Sequence, residues 1–205
     1  MKKPPLKEHV DTLRQLIHHD VEPDPSGKGG PRIIVGVVPD RRVSIEDKEM
    51  RHGRKSKSKR FNGYKRHIAT DLDTALVLAC AITPANRPEE DAAPDLATDL
   101  AHAGSEIDDL YIDRGSINAH LVDADNEFLQ HRLRKLQQRS TGRALLRERI
   151  PVEHSLAHVS RRQGRRARYL GSRKHLLDLR RASAITNLEA IQRHEAAAFA
   201  VAIAA

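Results

Sequence analysis

Residues 64–83 constrain the fold more than any other stretch of the chain. YKRHIATD and ALVLACAIT flank a short turn of Leu72, Asp73 and Thr74, a pattern that predicts a β-hairpin. The second strand is apolar almost throughout, so it should lie in the centre of a sheet, where neither face is left to water. The rest of the chain must then supply the cover, and most of it reads as helix.

Upstream, Leu6, Val10, Leu13, Leu16 and Ile17 recur at helical spacing after Pro4 and Pro5, marking a short amphipathic helix that ends near His19. EPDPSGKGGP, residues 22–31, reads as a flexible linker. Its SGKGG lacks the preceding strand and the spacing of a phosphate-cradling loop. RIIVGVV, residues 32–38, is a β-rich run closed by Pro39 and Asp40. Downstream, residues 85–104 predict a helix with Pro88 and acids at its start and Gly104 as its cap, delayed or kinked at Pro94. EIDDLYID, residues 106–113, predicts a short strand ending in Asp113. Helices are expected through Leu129, Leu133 and Leu136, from about Leu145 to His158, and from Lys174 to Phe199. Strands, helix, strand, helices: the order predicts an α/β fold, a sheet covered by helices. At 205 residues the chain suits one domain over 32–205, preceded by a helix and linker over 1–31.

Charge narrows the partners. Lys and Arg number 36 against 28 Asp and Glu, a net +8, and the excess is clustered. Residues 51–66 hold eight basic residues and no acid, and residues 161–181 hold nine with one acid, Asp178. A solvated surface would intersperse acids, whereas clustering suits phosphate neutralisation with counterion release. Arg51, Arg54, Lys55, Lys57, Lys59, Arg60 and Lys65 are the candidates from the first cluster. Arg161, Arg162, Arg165, Arg166, Arg168, Arg173 and Lys174 are those from the second. With no Trp and only Phe61, Tyr64, Tyr111, Phe128, Tyr169 and Phe199 as aromatics, the chain is poor in the stacking platforms of single-strand binders. Double-stranded DNA is the expected partner; a structured RNA is the less favoured one.

Cys80 is the single cysteine, which excludes an internal disulfide and a multi-cysteine zinc site. Its setting in VLACAIT predicts a buried core thiol. Residues 1–15 lack the apolar core of a signal peptide, and the apolar tail 196–205 is well short of the ~20 residues that span a bilayer. A cytoplasmic protein with no membrane partner is expected.

Two constellations could carry chemistry. Asp113, at the carboxyl end of a strand, stands where catalytic groups gather in α/β sheets. With Glu153 on a later helix it could supply carboxylates to a pair of Mg²⁺ ions in phosphoryl transfer on DNA. His154 and His158, spaced i, i+4, resemble a zinc-hydrolase pair, but Glu153 precedes the first histidine where that motif has the glutamate after it. A surface or DNA-facing pair is the better reading. His18 and His19, being adjacent, make a poor chelate on a helix.

MRHGRKSKSKRFNGYKRHIATDLDTALVLACAITPANRPEEDAAP, the later YIDRG, and RERIPVEHSLAH followed by RRQGRRARYLGSRKHLLDLRRASAITNLEA together resemble the C-terminal part of bacterial insertion-sequence transposases with a DDE catalytic domain. The resemblance covers most of the chain from about residue 22. It implies a ribonuclease H-like fold, divalent metal (Mg²⁺ or Mn²⁺), and cutting and joining of DNA at element ends. It also implies that Asp113 matches the family's second acid and Glu153 its third. Arg149, four residues before Glu153, and Arg161, eight after it, resemble the family's flanking phosphate-binding cations. On a helix, Arg149 and Glu153 would share a face.

Three departures from the family's pattern shape the functional expectation. The family's first aspartate lies in a strand before the basic cluster; this chain starts too late for a matching motif, and Asp40 and Asp47, the nearest acids, read as turn residues. Ser116 stands where the family often has Tyr. The join between INAHLVDAD and EFLQHRLRKLQ is shorter than in relatives, as an internal deletion would leave it. The expected function is DNA transposition by a copy lacking its first catalytic aspartate. The alternative is a non-catalytic DNA-binding transposase remnant, with a homo-oligomer left open in either case.

Overall fold

The computed structural model describes residues 6–35, 38, 40–55, 58–107, 110, 150–164 and 166–204. Of the expected strand over 106–113 only Glu106, Ile107 and Leu110 are among them, in no strand; Asp113 and the helix through Leu129, Leu133 and Leu136 lie outside them. The described chain is a mixture of helices and antiparallel strands, as expected for an α/β fold, and it divides into two compact units interleaved in sequence.

The first unit takes residues up to Lys65, then Pro84–Arg87 and Ala167–Ser172. Its α1, Leu6–Asp20, is the expected amphipathic helix. Arg42 secures it: this residue is 5 % exposed and sends Nη1 to Thr12 Oγ1 and Gln15 Oε1, each at 3.3 Å. Its Nε and Nη2 bond the carbonyls of Ser44 and Ile45 at 2.8 and 2.6 Å. A buried guanidinium is tolerable because its donors are satisfied in this way.

The Gly- and Pro-rich stretch after α1 is a turn between paired strands. β1, Val21–Glu22, pairs antiparallel with β2, Arg32–Ile33, and Arg32 meets Glu22 at 2.7 Å. The apolar run that begins at Arg32 was expected as a strand to Val38; among its described residues only Arg32 and Ile33 are paired in a ladder, and Val35 is almost fully exposed. Composition favours strand there, but a strand needs a partner ladder, and the one available to this run is two residues long.

β3, Arg51–Arg54, pairs antiparallel with the start of β4, Arg60–Thr70, in the register Arg51 to Gly63 through Arg54 to Arg60. Gly53 is required here: a Cβ on it would stand 2.4 Å from the Ala85 carbonyl oxygen. β5, Val77–Pro84, completes a three-stranded sheet in the order β3-β4-β5. The predicted hairpin therefore forms. Asp71 caps its turn by accepting from the Thr74 N–H at 2.9 Å, and the Asp71 N–H donates to the Leu76 carbonyl at 2.9 Å. Ala75 adopts a left-handed conformation, φ 57°.

The second unit takes residues 66–83, 88–166 and 173–205. Among the described strands β4, not β5, is in the middle. β5 is nonetheless buried almost throughout, because helices close its outer side. From the long C-terminal helix, Asn187 accepts the Val77 N–H and donates to the Val77 carbonyl, both at 2.8 Å. Asp99, on the helix that follows β5, accepts the Cys80 N–H at 2.9 Å. Side chains thus do for this edge what a further strand would do. α2, Ala93–His102, follows a short 3₁₀ turn at Glu90–Ala92, carries Pro94 in its first turn as a start signal, and gives way to Gly104 at φ 68°.

α3, Ile150–Gln163, and α4, Ser172–Ala204, match the expected last two helices, with residues 145–149 outside the described set. α3 turns Ser155, Val159 and Gln163 inward; α4 turns in His175, Leu179, Ala182, Ser183, Thr186 and Ala190. Val159 and Leu179 are fully buried, and Cys80 is the core thiol the sequence predicted, its sulfur 3.3 Å from Ser183 Oγ. Among the described residues no helix is long and apolar enough to cross a membrane.

Candidate nucleic-acid interface

Asp47 organises the first unit. Its side chain is 2 % exposed. Oδ1 accepts the N–H groups of Glu49 at 3.0 Å and Met50 at 3.2 Å, the local turn its position in the sequence suggests. The Tyr64 hydroxyl donates to both oxygens at 2.7 Å, and the Gly171 N–H reaches Oδ2 at 3.1 Å. Beside it, Glu49 accepts the Ser172 N–H at 2.8 Å. Burial opposes the charge on Asp47, but Tyr64 and the three backbone donors outweigh it and hold the carboxyl below its ordinary value. Burial and the hydrogen bond to that carboxylate, with the negative charges of Asp47 and Glu49, push the Tyr64 phenol well up.

This places two basic segments on one anchor. Tyr64 belongs to the first cluster; Gly171 and Ser172 lie in the second. Gly171, at φ 82°, adopts a backbone conformation that side chains other than glycine rarely tolerate, and its loop carries Arg168 within the same compact unit as Arg51–Lys65.

The candidate cations differ in their surroundings. Arg54, Lys55, Lys59 and Arg60 are exposed on and beside the β3–β4 pair. Arg51 is committed inward: its Nε meets Asp40 Oδ1 at 2.9 Å and its Nη1 the carbonyls of Lys48 and Met50 at 2.6 and 3.0 Å. Asn86 also donates to Asp40 Oδ1, at 2.9 Å, and the two bonds draw the Asp40 carboxyl down. Lys65 Nζ donates to the Arg87 carbonyl at 2.6 Å. In the second cluster Arg161, Arg166, Arg168, Arg173 and Lys174 are exposed, while Arg162 is paired with Glu189. Lys57, Arg149 and Arg165 lie outside the described residues.

Glu153 is exposed in the first turn of α3, with His154 and His158 exposed on the same helix. Asp113 lies outside the described residues. Among the described residues no group of three or more His, Cys, Asp or Glu could hold a metal ion. Asp47 is no substitute, since its oxygens are occupied by hydrogen-bond donors. The anchoring role of Asp47 was missed in the sequence because its long-range partners are one tyrosine and a main-chain N–H, and the second has no sequence signal.

No curated protein and no solved structure matches the chain. A family model described as transposase DDE domain does match it, over residues 36–188. That span takes in the Asp47 anchor, the sheet, Asp113, Glu153 and both basic clusters. DDE transposase domains have a ribonuclease H-like fold, act in DNA transposition and use divalent metal. With about three quarters of its length matched, the chain belongs to the transposase DDE domain family.

Proposed function

We propose that this chain serves DNA transposition in the cytoplasm by gripping double-stranded DNA through its two basic segments. Asp113 and Glu153 are assigned as its metal-binding carboxylates, and Arg149 and Arg161 as phosphate contacts beside them. The observation that supports the grip is the shared anchor: segments more than a hundred residues apart both bond to Asp47, which gives the exposed Arg54, Lys55, Lys59 and Arg60 and the Arg168 loop fixed footings. Counterion release from such a patch supplies affinity for duplex DNA without base readout.

Metal-dependent cutting and joining needs carboxylates around both ions, and no motif among residues 1–205 corresponds to the family's first acid. We therefore read this chain as a binder of DNA whose own acids do not complete a site for two Mg²⁺ or Mn²⁺ ions. The second reading, an active transposase, requires an acid supplied from elsewhere. Incubation with supercoiled plasmid, with and without Mg²⁺, separates the two, alongside a gel-shift titration in salt. Salt-sensitive binding without nicking is expected. Mg²⁺-dependent nicking that disappears in Asp113→Asn would overturn the remnant reading, and absence of binding at low salt would overturn both.

A further inference from the structure

The sheet narrows to a two-stranded ribbon where β3 pairs with the start of β4. β5 ends at Pro84, and the next residue, Ala85, donates its N–H to the Gly63 carbonyl at 3.0 Å. Among the described strands, Arg60–Asn62 therefore have β3 alone beside them, with His52 opposite Asn62 and Arg54 opposite Arg60. Alternation along each strand sorts the ribbon into two faces. The inner face is engaged: Gly53 lies tight against Ala85, Phe61 is half-buried, and Arg51 is bonded to Asp40 and to main-chain carbonyls. The outer face carries Arg54, Arg60 and Asn62, all exposed, and the half-buried His52. Among the described residues no acid pairs with Arg54 or Arg60.

These side chains match the edges of bases. A guanidinium fits O6 and N7 of guanine, and a carboxamide fits N6 and N7 of adenine, both in the major groove, which admits a two-stranded β-ribbon. Phosphate neutralisation alone gives no use to a carboxamide beside two arginines. Asn62 is moreover oriented, its Oδ1 2.8 Å from Nδ1 of His52. With Nδ1 as the donor, one lone pair of Oδ1 and both hydrogens of Nδ2 remain for a base. Residues two apart on a strand stand about 7 Å from each other, and stacked bases are about 3.4 Å apart. The Arg54–Arg60 and His52–Asn62 pairs thus address base pairs two steps apart.

We propose that the outer face of the β3–β4 ribbon reads base edges in the major groove, with Arg54 and Arg60 on guanine, Asn62 on adenine and His52 positioning Asn62. The assignment rests on the duplex-DNA binding proposed above and deepens it. The charge of the basic segments gives affinity for any sequence, and this face selects among sequences.

Selection by the full chain from duplexes with a randomised central window, at near-physiological salt, should enrich guanine and adenine two base pairs apart. In the enriched duplex, the 7-deaza analogue of either base removes the N7 acceptor and leaves pairing and phosphates intact. Affinity of the unaltered protein should then fall about tenfold, the scale of one lost bidentate contact. Asn62→Ala keeps the net charge, so it should lose the adenine preference, retain that for guanine, and bind an unrelated duplex with an unchanged salt slope. His52→Ala should weaken the adenine preference alone. Arg60→Lys, which keeps the charge without the planar fork, should weaken the guanine preference. Selection that yields no preferred sequence, or binding indifferent to both the 7-deaza bases and Asn62→Ala, would overturn base reading by this face and leave duplex binding standing. Absence of binding to any duplex at low salt would overturn both.

Discussion

The Tyr64 hydroxyl donates across both carboxylate oxygens of Asp47, 2.7 Å from each, within a site that Gly171 closes from 124 residues further along the chain. Asp47 is held in its charged form by these donors in spite of burial, so its carboxyl lies below the ordinary 3.8. A depressed carboxyl stabilises the folded state at pH values above its unfolded value and ceases to do so as pH falls through its folded value. Urea denaturation between pH 7 and pH 3 should therefore show stability falling below about pH 4, and Asp47→Asn should flatten that part of the profile. Tyr64→Phe should cost about 1.5–3 kcal/mol at pH 7, the loss of a hydrogen bond to a buried charge.

Ala75→Gly should stabilise the protein. Ala75 sits at φ 57° in the hairpin turn, a left-handed conformation that costs an alanine about 1 kcal/mol and glycine almost nothing. The gain is expected as a rise of a few degrees in Tm by calorimetry.

Gly53→Ala should do the reverse. The added methyl would stand 2.4 Å from the Ala85 carbonyl oxygen and 2.6 Å from the Ala85 Cβ, and a backbone neighbour cannot swing away. A loss of about 1–3 kcal/mol is expected by urea denaturation, from overpacking alone.

Asn187→Leu keeps the size of the side chain but leaves both main-chain groups of Val77 without their partners. A cost of about 2 kcal/mol is expected. Hydrogen exchange should localise it: the Val77 amide should lose protection, while amides in the β3–β4 pair keep theirs.

Replacing Arg165, Arg166 and Arg168 together by Gln should weaken duplex binding and reduce the slope of log affinity against log salt by roughly 2–3, near one per phosphate contact. An unchanged slope would remove the second cluster from the DNA interface.

How much of this was legible in the sequence depended on the range of the forces involved. The hairpin, the N-terminal helix and the last helix were readable because apolar period and turn residues act over a few positions; α4 begins two residues before the expected Lys174 and runs five past Phe199. Among the described residues of the run from Arg32 the strand is shorter than expected, because composition does not report whether a partner strand is within reach. The burial of β5 was readable, but its place among the described strands was not, since Asn187 and Asp99 are polar residues that nothing marks as caps of that strand. Of the candidate site, charge clustering gave the cations. It could not show that Arg51 and Lys65 are bonded to their own chain, or that the two clusters share Asp47.

The Arg168 loop is held at its far end by main-chain hydrogens, those of Gly171 and Ser172, on acids carried by a different segment. Apart from the glycine, this attachment is blind to which amino acids the loop contains. The arginines there can be exchanged, added or lost with little effect on where the loop sits. Substitutions can thus retune how strongly the surface holds a polyanion without renegotiating the fold, a latitude that contacts made through the loop's own side chains would not allow.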